Sequence, residues 1–235
     1  MAILPESRDG LIFCMLMLRS FAGLIRLSMQ LFAQSQPPPI LQIHRERLKS
    51  GTEDTYQAIE EDTARICAEI GCPHPYLGIE ALTGPKQVWF FNGYDSSAEP
   101  KQVVEDYAKN AVLMSALRKN SKKKASLTAK PVSVFAKYRQ DLSTGVPWIL
   151  GQGRFLVITV TKGNRRSNGT VFEGANGTRF IVVPAQNREE ADAAAAIVGP
   201  ESNVFAVRPS WSFPSKEWIA ADPAFWQPSP AAKAK

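Results

Sequence analysis

The sequence predicts an α+β protein of two successive halves, βαββαβ and then a shortened βββαβ. Three observations carry this. Strand-like apolar runs recur from Ile40 to Val207, two stretches at helical spacing interrupt the first set, and one alanine-rich stretch interrupts the second.

Ile40 to Leu48 reads as the first strand, apolar at Ile40, Leu41 and Ile43 and charged at its end. Ser50 and Glu53 have capping-box spacing ahead of a helix. Its buried stripe is Tyr56, Ile59, Thr63, Ile66, Cys67 and Ile70, with Glu60, Glu61 and Asp62 on the solvated side, and Gly71 and Pro73 end it. Tyr76–Leu82 and Gln87–Tyr94 form a hairpin about Thr83-Gly84-Pro85-Lys86. Ser96 and Glu99 form a second capping box, and a second helix follows with Val103, Val104, Tyr107, Ala111, Met114 and Leu117 as its stripe. Val132–Tyr138 closes a βαββαβ set, the ferredoxin-like split βαβ unit.

Beyond Gly145-Val146-Pro147-Trp148, Arg154–Lys162 opens the second set. Gly163–Gly169 stands where a helix would be. Thr170–Glu173 and Arg179–Val183 form a hairpin about Ala175-Asn176-Gly177, Asn187 caps a helix that ends at Gly199, and Asn203–Val207 is the last strand. Val134-Phe135-Ala136 is echoed by Val204-Phe205-Ala206, and Val88–Phe91 by Phe180–Val183, which reads as an ancient duplication. The expected divisions are a signal-like or flexible segment at 1–36, halves at 37–144 and 145–213, and an aromatic segment with a tail at 214–235.

The opening segment differs from the rest. Leu11–Leu18 and Phe21–Ile25 are apolar runs separated by Arg19, and Arg26 precedes a third stretch ending at Ala33. A membrane span needs roughly 20 unbroken apolar residues, so none is expected. A signal peptide ending near Ala33 fits, with Met15 or Met17 as a candidate start and export to the periplasm or medium as the consequence. The alternative is an amphipathic surface helix on a cytoplasmic protein. Three cysteines cannot staple a chain of 235 residues. Cys67 and Cys72 are read as core residues or as a bridge, if the helix end brings them within about 7 Å.

The order of elements over residues 40–213 resembles the dimeric α+β barrel superfamily, which includes antibiotic-biosynthesis-monooxygenase and NIPSNAP-like proteins. The resemblance implies two ferredoxin-like sheets packed face to face, here as a pseudo-dimeric barrel within one chain. It also implies a cavity between the sheets and a role among the superfamily's cofactor-free oxygenases, haem-degrading enzymes, isomerases and binding proteins. It transfers no catalytic residue. Strand parity puts Leu41, Ile43, Leu77, Ile79, Ala81, Trp89 and Phe91 on one face, expected to carry the helices. The other face gathers His44, Glu46, Tyr76, Glu80, Asn92 and Tyr94, and is expected to meet water or a polar cavity. The second half is apolar on both parities and asks for cover on both sides.

That mixed face supplies the candidate site. His44 with Glu46 or Glu80 has the chemistry of a base near neutral pH, and Tyr76, Asn92 and Tyr94 that of ligand contacts or oxyanion donors. Two histidines make a metal set thin, and neither Gly151-Gln152-Gly153 nor Gly163–Gly169 can cradle phosphate, so no metal or cofactor is expected. There is no Gly-x-Ser-x-Gly elbow. The net charge of +6 is local, because nine basic and no acidic residues lie between Asp106 and Asp141. Lys119, Lys122, Lys123 and Lys124 suit a helix C-terminus and form a candidate anion site. Nucleic acid is not expected, because Trp89 and Phe91, the candidate stacking aromatics, have the parity of the covered face. Trp211, Phe213, Trp218, Phe225 and Trp226 suggest a tail packed on the core. The leading expectation is an exported monomer or homodimer that binds a small molecule between its sheets. The rivals are a cofactor-free oxygenase or isomerase using His44, and an interaction module.

Overall fold

A computed structural model describes residues 36–144, 148, 153–163 and 167–227. Residues 1–35 of the signal-like segment, Gly145-Val146-Pro147, Gly151-Gln152, residues 164–166 of the Gly163–Gly169 stretch and the tail from 228 lie outside them. The barrel strands are β1 (Ile40–Arg47), β2 (Leu77–Ala81), β3 (Gln87–Tyr94), β4 (Val132–Tyr138), β6 (Phe155–Lys162), β8 (Thr170–Gly174), β9 (Thr178–Ala185) and β10 (Ser202–Val207). They close in the order β1-β3-β2-β10-β6-β9-β8-β4, every neighbour antiparallel. Two short strands, β5 (Ser143–Thr144) and β7 (Ser167–Asn168), pair separately. The helices are α1 (Glu53–Ile70), α2 (Glu99–Lys109), α3 (Ala111–Lys124), α4 (Arg188–Val198), α5 (Lys216–Ala221) and α6 (Pro223–Trp226). The described residues from Pro37 onward form one contact unit. None of the described helices is long and apolar enough to cross a membrane.

The facing of the first three strands is the reverse of the expectation. Leu41, Ile43, Leu77, Ile79, Trp89 and Phe91 point into the barrel, where they pack with Leu156, Ile158, Phe172, Phe180, Val182 and Phe205. Inside a closed barrel the large apolar side chains find cover on every side, and the amphipathic helices take the mixed outer face. The barrel centre is therefore occupied by side chains where a ligand cavity was expected. Trp89 and Phe91, each 2% exposed, are sealed away from any stacking role. On the outer face, Tyr56 of α1 packs with Val88, Phe90 and Trp211. Ala191 of α4 packs with Val157, Val183 and Val204, so the second set of strands is covered on both sides as expected.

Several local signals resolve differently. Thr52, not Ser50, precedes α1, and its hydroxyl bonds Lys49 O. Ala98 precedes α2, while Glu99 accepts from the Asp95 N–H. The second helix is two helices, because the Asn110 side chain accepts from Leu113 N and restarts the chain as α3. That resets the phase and buries Leu113, while within α2 Val103 is buried and Val104 is 67% exposed. Gly71, at φ 87°, closes α1 in the left-handed region. Asn187 caps α4 as expected.

The C-terminal aromatics divide between two places. Phe213 bridges Tyr76, and Trp211 sits edge-on to Tyr56 at 6.1 Å. Trp218, Phe225 and Trp226 return to the barrel core, as does Trp148, 5.2 Å from Phe172. Arg154 pairs with Asp222 and lies 3.8 Å from the Phe225 ring centroid.

Candidate functional site

β1 presents His44 and Glu46 on its outer face, two residues apart and therefore on the same side. α1 and α3 cross above them. The His44 Nε2 donates to Glu46 Oε1 at 3.0 Å, and Nδ1 lies 2.7 Å from Ser133 Oγ on β4. The Tyr56 hydroxyl donates to Glu46 Oε2 at 2.6 Å. Lys124, at the end of α3, reaches down to Glu46 Oε1 at 3.2 Å and Glu60 Oε1 at 2.6 Å. Its ammonium also lies over the Tyr56 and Phe90 rings, at 5.6 and 5.4 Å.

Both carboxylates are almost fully buried, Glu46 at 5% and Glu60 at 1% exposure. Burial pushes the Glu46 carboxyl up, but the His44 hydrogen bond, the Lys124 charge and the Tyr56 hydroxyl outweigh it and hold the group at about 2. Burial prevails at Glu60, raising its carboxyl against the pull of Lys124. Lys124 is itself desolvated, yet its two carboxylates hold the ammonium above its ordinary range. The cluster therefore keeps Glu46 and Lys124 charged, and Glu60 is the carboxyl that takes up a proton first.

A cavity of about 480 Å³ opens between α1, α3 and the outer face of β1. His44, Glu46, Tyr76 and Lys124 line it together with Thr63, Cys67, Tyr107, Leu117 and Lys130. Cys67 and Cys72 are joined as a disulfide, with Cα atoms 4.6 Å apart. The Tyr76 hydroxyl is buried without a hydrogen-bond partner, an unusual condition for a buried polar group. Burial also raises the Tyr76 hydroxyl pKa.

Glu80 stands apart from this group. It pairs with Arg208, and two ladder steps through Val88 separate it from Glu46, roughly 10 Å at the usual strand spacing. Of the two carboxylates expected beside His44, Glu46 is its partner and Glu80 is not. Asn92 donates to Pro75 O at 3.4 Å. Tyr94 donates to Gln42 at 2.8 Å and stacks on His74 at 4.7 Å, with its hydroxyl pushed up to about 12 by burial. Neither residue lines the cavity. Of the four candidate anion-binding lysines, Lys119, Lys122 and Lys123 are exposed, whereas Lys124 is turned inward and already neutralised by carboxylates.

Glu60, Tyr56, Lys124 as an inward group and Ser133 were not picked out as site residues by the sequence reading. Glu60 is on the buried stripe of α1, four residues from Tyr56 and from Ala64, where the reading placed it in solvent. That phase was the available signal. Ser133 carried none, because its place opposite His44 depends on the β1–β4 register.

No family model matches this sequence, and no curated protein does. Among solved structures, the chain is similar to a candidate monooxygenase from Fusobacterium nucleatum, at 11% identity and TM-score 0.48, covering 73% of this chain and 93% of that one. It is also similar to a candidate monooxygenase from Lactobacillus acidophilus, at 8% identity and TM-score 0.44, covering 73% and 93%. An anthrone oxidase-like protein aligns at 13% identity and TM-score 0.40, over 78% and 97%.

Proposed function

We propose that this protein binds a small molecule in the cavity beneath α1 and α3, not between its sheets. The observation that carries this is the Tyr76 hydroxyl, buried and unpartnered on the wall of a cavity that also holds His44 and Glu46. A polar ligand atom would satisfy it, while Leu117 and Tyr107 offer apolar contact and Lys130 a positive charge. Titration with the anionic aromatic dye 1-anilinonaphthalene-8-sulfonate tests this. The expected result is one fluorescent site per chain, weakened by Tyr76→Phe and abolished by Leu117→Trp, which fills the cavity. Dye binding unchanged by Leu117→Trp overturns the reading.

A second reading, a cofactor-free oxygenase or isomerase, is supported by the fixing of both His44 ring nitrogens. The carboxylate partner in that reading is Glu46. An interaction role for Lys119, Lys122 and Lys123 ranks behind both, because these side chains point into solvent with no shaped partner surface.

Export of the chain, by cleavage near Ala33, is part of the proposal. The Cys67–Cys72 bridge supports it, since such bonds persist in oxidising compartments. Mass spectrometry of the mature N-terminus tests it, and an intact Met1, Met15 or Met17 overturns it. We also infer that the barrel is a fusion of two ferredoxin-like halves. In support, β4-β1-β3-β2 and β10-β6-β9-β8 each have the order fourth, first, third, second. The short sequence echoes do not add to this support: Phe135 points out and Phe205 in, so those tripeptides face opposite ways.

A further inference from the structure

We propose that Ser133 is a nucleophile, activated by His44 and Glu46 as a serine–histidine–glutamate triad that hydrolyses carboxylic esters. The inference rests on the cavity reading only in that the cavity would hold the rest of the substrate. The covalent step belongs to a residue beside it.

The β1–β4 register sets Ser133 directly opposite His44, so the two side chains emerge together on the outer face. Glu46 is ionised, and a carboxylate only accepts hydrogen bonds. The Nε2 of His44 must therefore carry the ring proton. In the neutral imidazole Nδ1 is then the free lone pair, and the Ser133 hydroxyl, 2.7 Å away, donates to it. An activated serine needs this arrangement, with a base in contact and a buried anion behind it to steady the imidazolium. Exposure is divided accordingly: Ser133 is exposed and reachable, while Glu46 is buried and clamped by Tyr56 and Lys124. Glu46 cannot swing away from His44 without breaking both of those contacts.

In the reaction, Ser133 Oγ bonds to the ester carbonyl carbon as its proton passes to Nδ1. The bond to the alcohol oxygen breaks, Nδ1 returns the proton to the departing alcohol, and acyl-Ser133 remains. Water then attacks the acyl carbon, giving a proton to Nδ1. The acyl–Oγ bond breaks, and Ser133 recovers its proton as the acid leaves. One ester and one water give one acid and one alcohol, with no other reagent.

The test uses the full chain and a fluorophosphonate, with peptide mass spectrometry to locate the label. The expected result is one phosphonyl group on Ser133, formed more slowly in D2O than in H2O and about 100-fold more slowly in His44→Gln. Ser133→Ala should take no label while still binding the anilinonaphthalene dye. A wild-type chain without label on Ser133 overturns the proposal, as does labelling at the same rate in His44→Gln. If that variant does not fold, equal wild-type rates in the two solvents overturn it instead. Failure of the cavity reading shows separately, as absent dye binding with Ser133 still labelled.

Discussion

The Tyr56 hydroxyl donates to Glu46 Oε2 at 2.6 Å, tying α1 to β1 through a charged hydrogen bond beneath the helix layer. The ring beside it is packed by Val88, Phe90 and Trp211, so contact and hydrogen bond hold the same place. Tyr56→Phe keeps the packing and removes only the donor. A hydrogen bond to a charged group contributes about 1.5–3 kcal/mol, and chemical denaturation should show a loss in that range. An unchanged midpoint would mean that water or Lys124 replaces the donor at no cost.

The two buried carboxyls pull the pH dependence in opposite directions. Glu46 is held at about 2 in the folded chain against an ordinary value of 4.5, so its contribution is complete above 4.5 and drains away as pH falls toward 2. Glu60 is raised, so its contribution is complete below 4.5 and is lost as pH rises through its folded value. Glu46→Gln should therefore cost about 3 kcal/mol or more at pH 7 and flatten the acid loss between pH 4.5 and 2. Glu60→Gln should stay within about 1 kcal/mol of wild type at pH 7, since the raised carboxyl is already disfavoured as an anion. Urea titrations at pH 7, 4.5 and 3 separate the two.

Arg45 points into one end of the barrel, its guanidinium 5.4 Å from the Trp89 ring centroid and 5.6 Å from that of Phe180. Its Nε is buried without a hydrogen-bond partner, and burial lowers its pKa. Two aromatic faces compensate a desolvated cation only in part. Arg45→Met, which keeps the length and drops the charge, should leave stability equal or higher, while Arg45→Glu should destabilise by about 3 kcal/mol or more. Thermal melts of the two variants decide whether the charge itself is a cost.

Reduction of the Cys67–Cys72 bridge should have a modest effect. The bond closes a very short loop, for which chain entropy gives about 2 kcal/mol. A reductant, or the double Cys67→Ser, Cys72→Ser variant, should lower Tm by about 4–8 °C without loss of fold. Cys72 follows the Gly71 turn and packs with Ile66 and Leu113, and those contacts survive reduction.

The element order was legible because each element carries its own period and punctuation: Gly71 after α1, Asn187 before α4, the turn between β2 and β3. Facing was not. An apolar strand face says only that something covers it, and both the barrel interior and a helix layer provide cover. The choice went to the interior because Trp89, Phe91 and Phe180 are large enough together to fill it. Glu60 was misplaced because a charged residue on a helix is ordinarily solvated, and its burial depends on Lys124 arriving from another helix. His44, Glu46 and Tyr76 were legible as a group sharing one face. Ser133 was not, since nothing local in the chain near Val132 marks which strand it will lie beside.

The eight-stranded ring closes within a single polypeptide, each strand flanked on both sides by strands of the same chain. Dilution therefore cannot open it, and the unfolding midpoint of the barrel itself should not shift with protein concentration. The demand moves to kinetics. Two pairings, β2 against β10 and β1 against β4, join strands remote in sequence, and both must form before the interior is sealed. Such distant pairings make for slow folding, so this chain exchanges the search for a partner molecule for a longer search within itself.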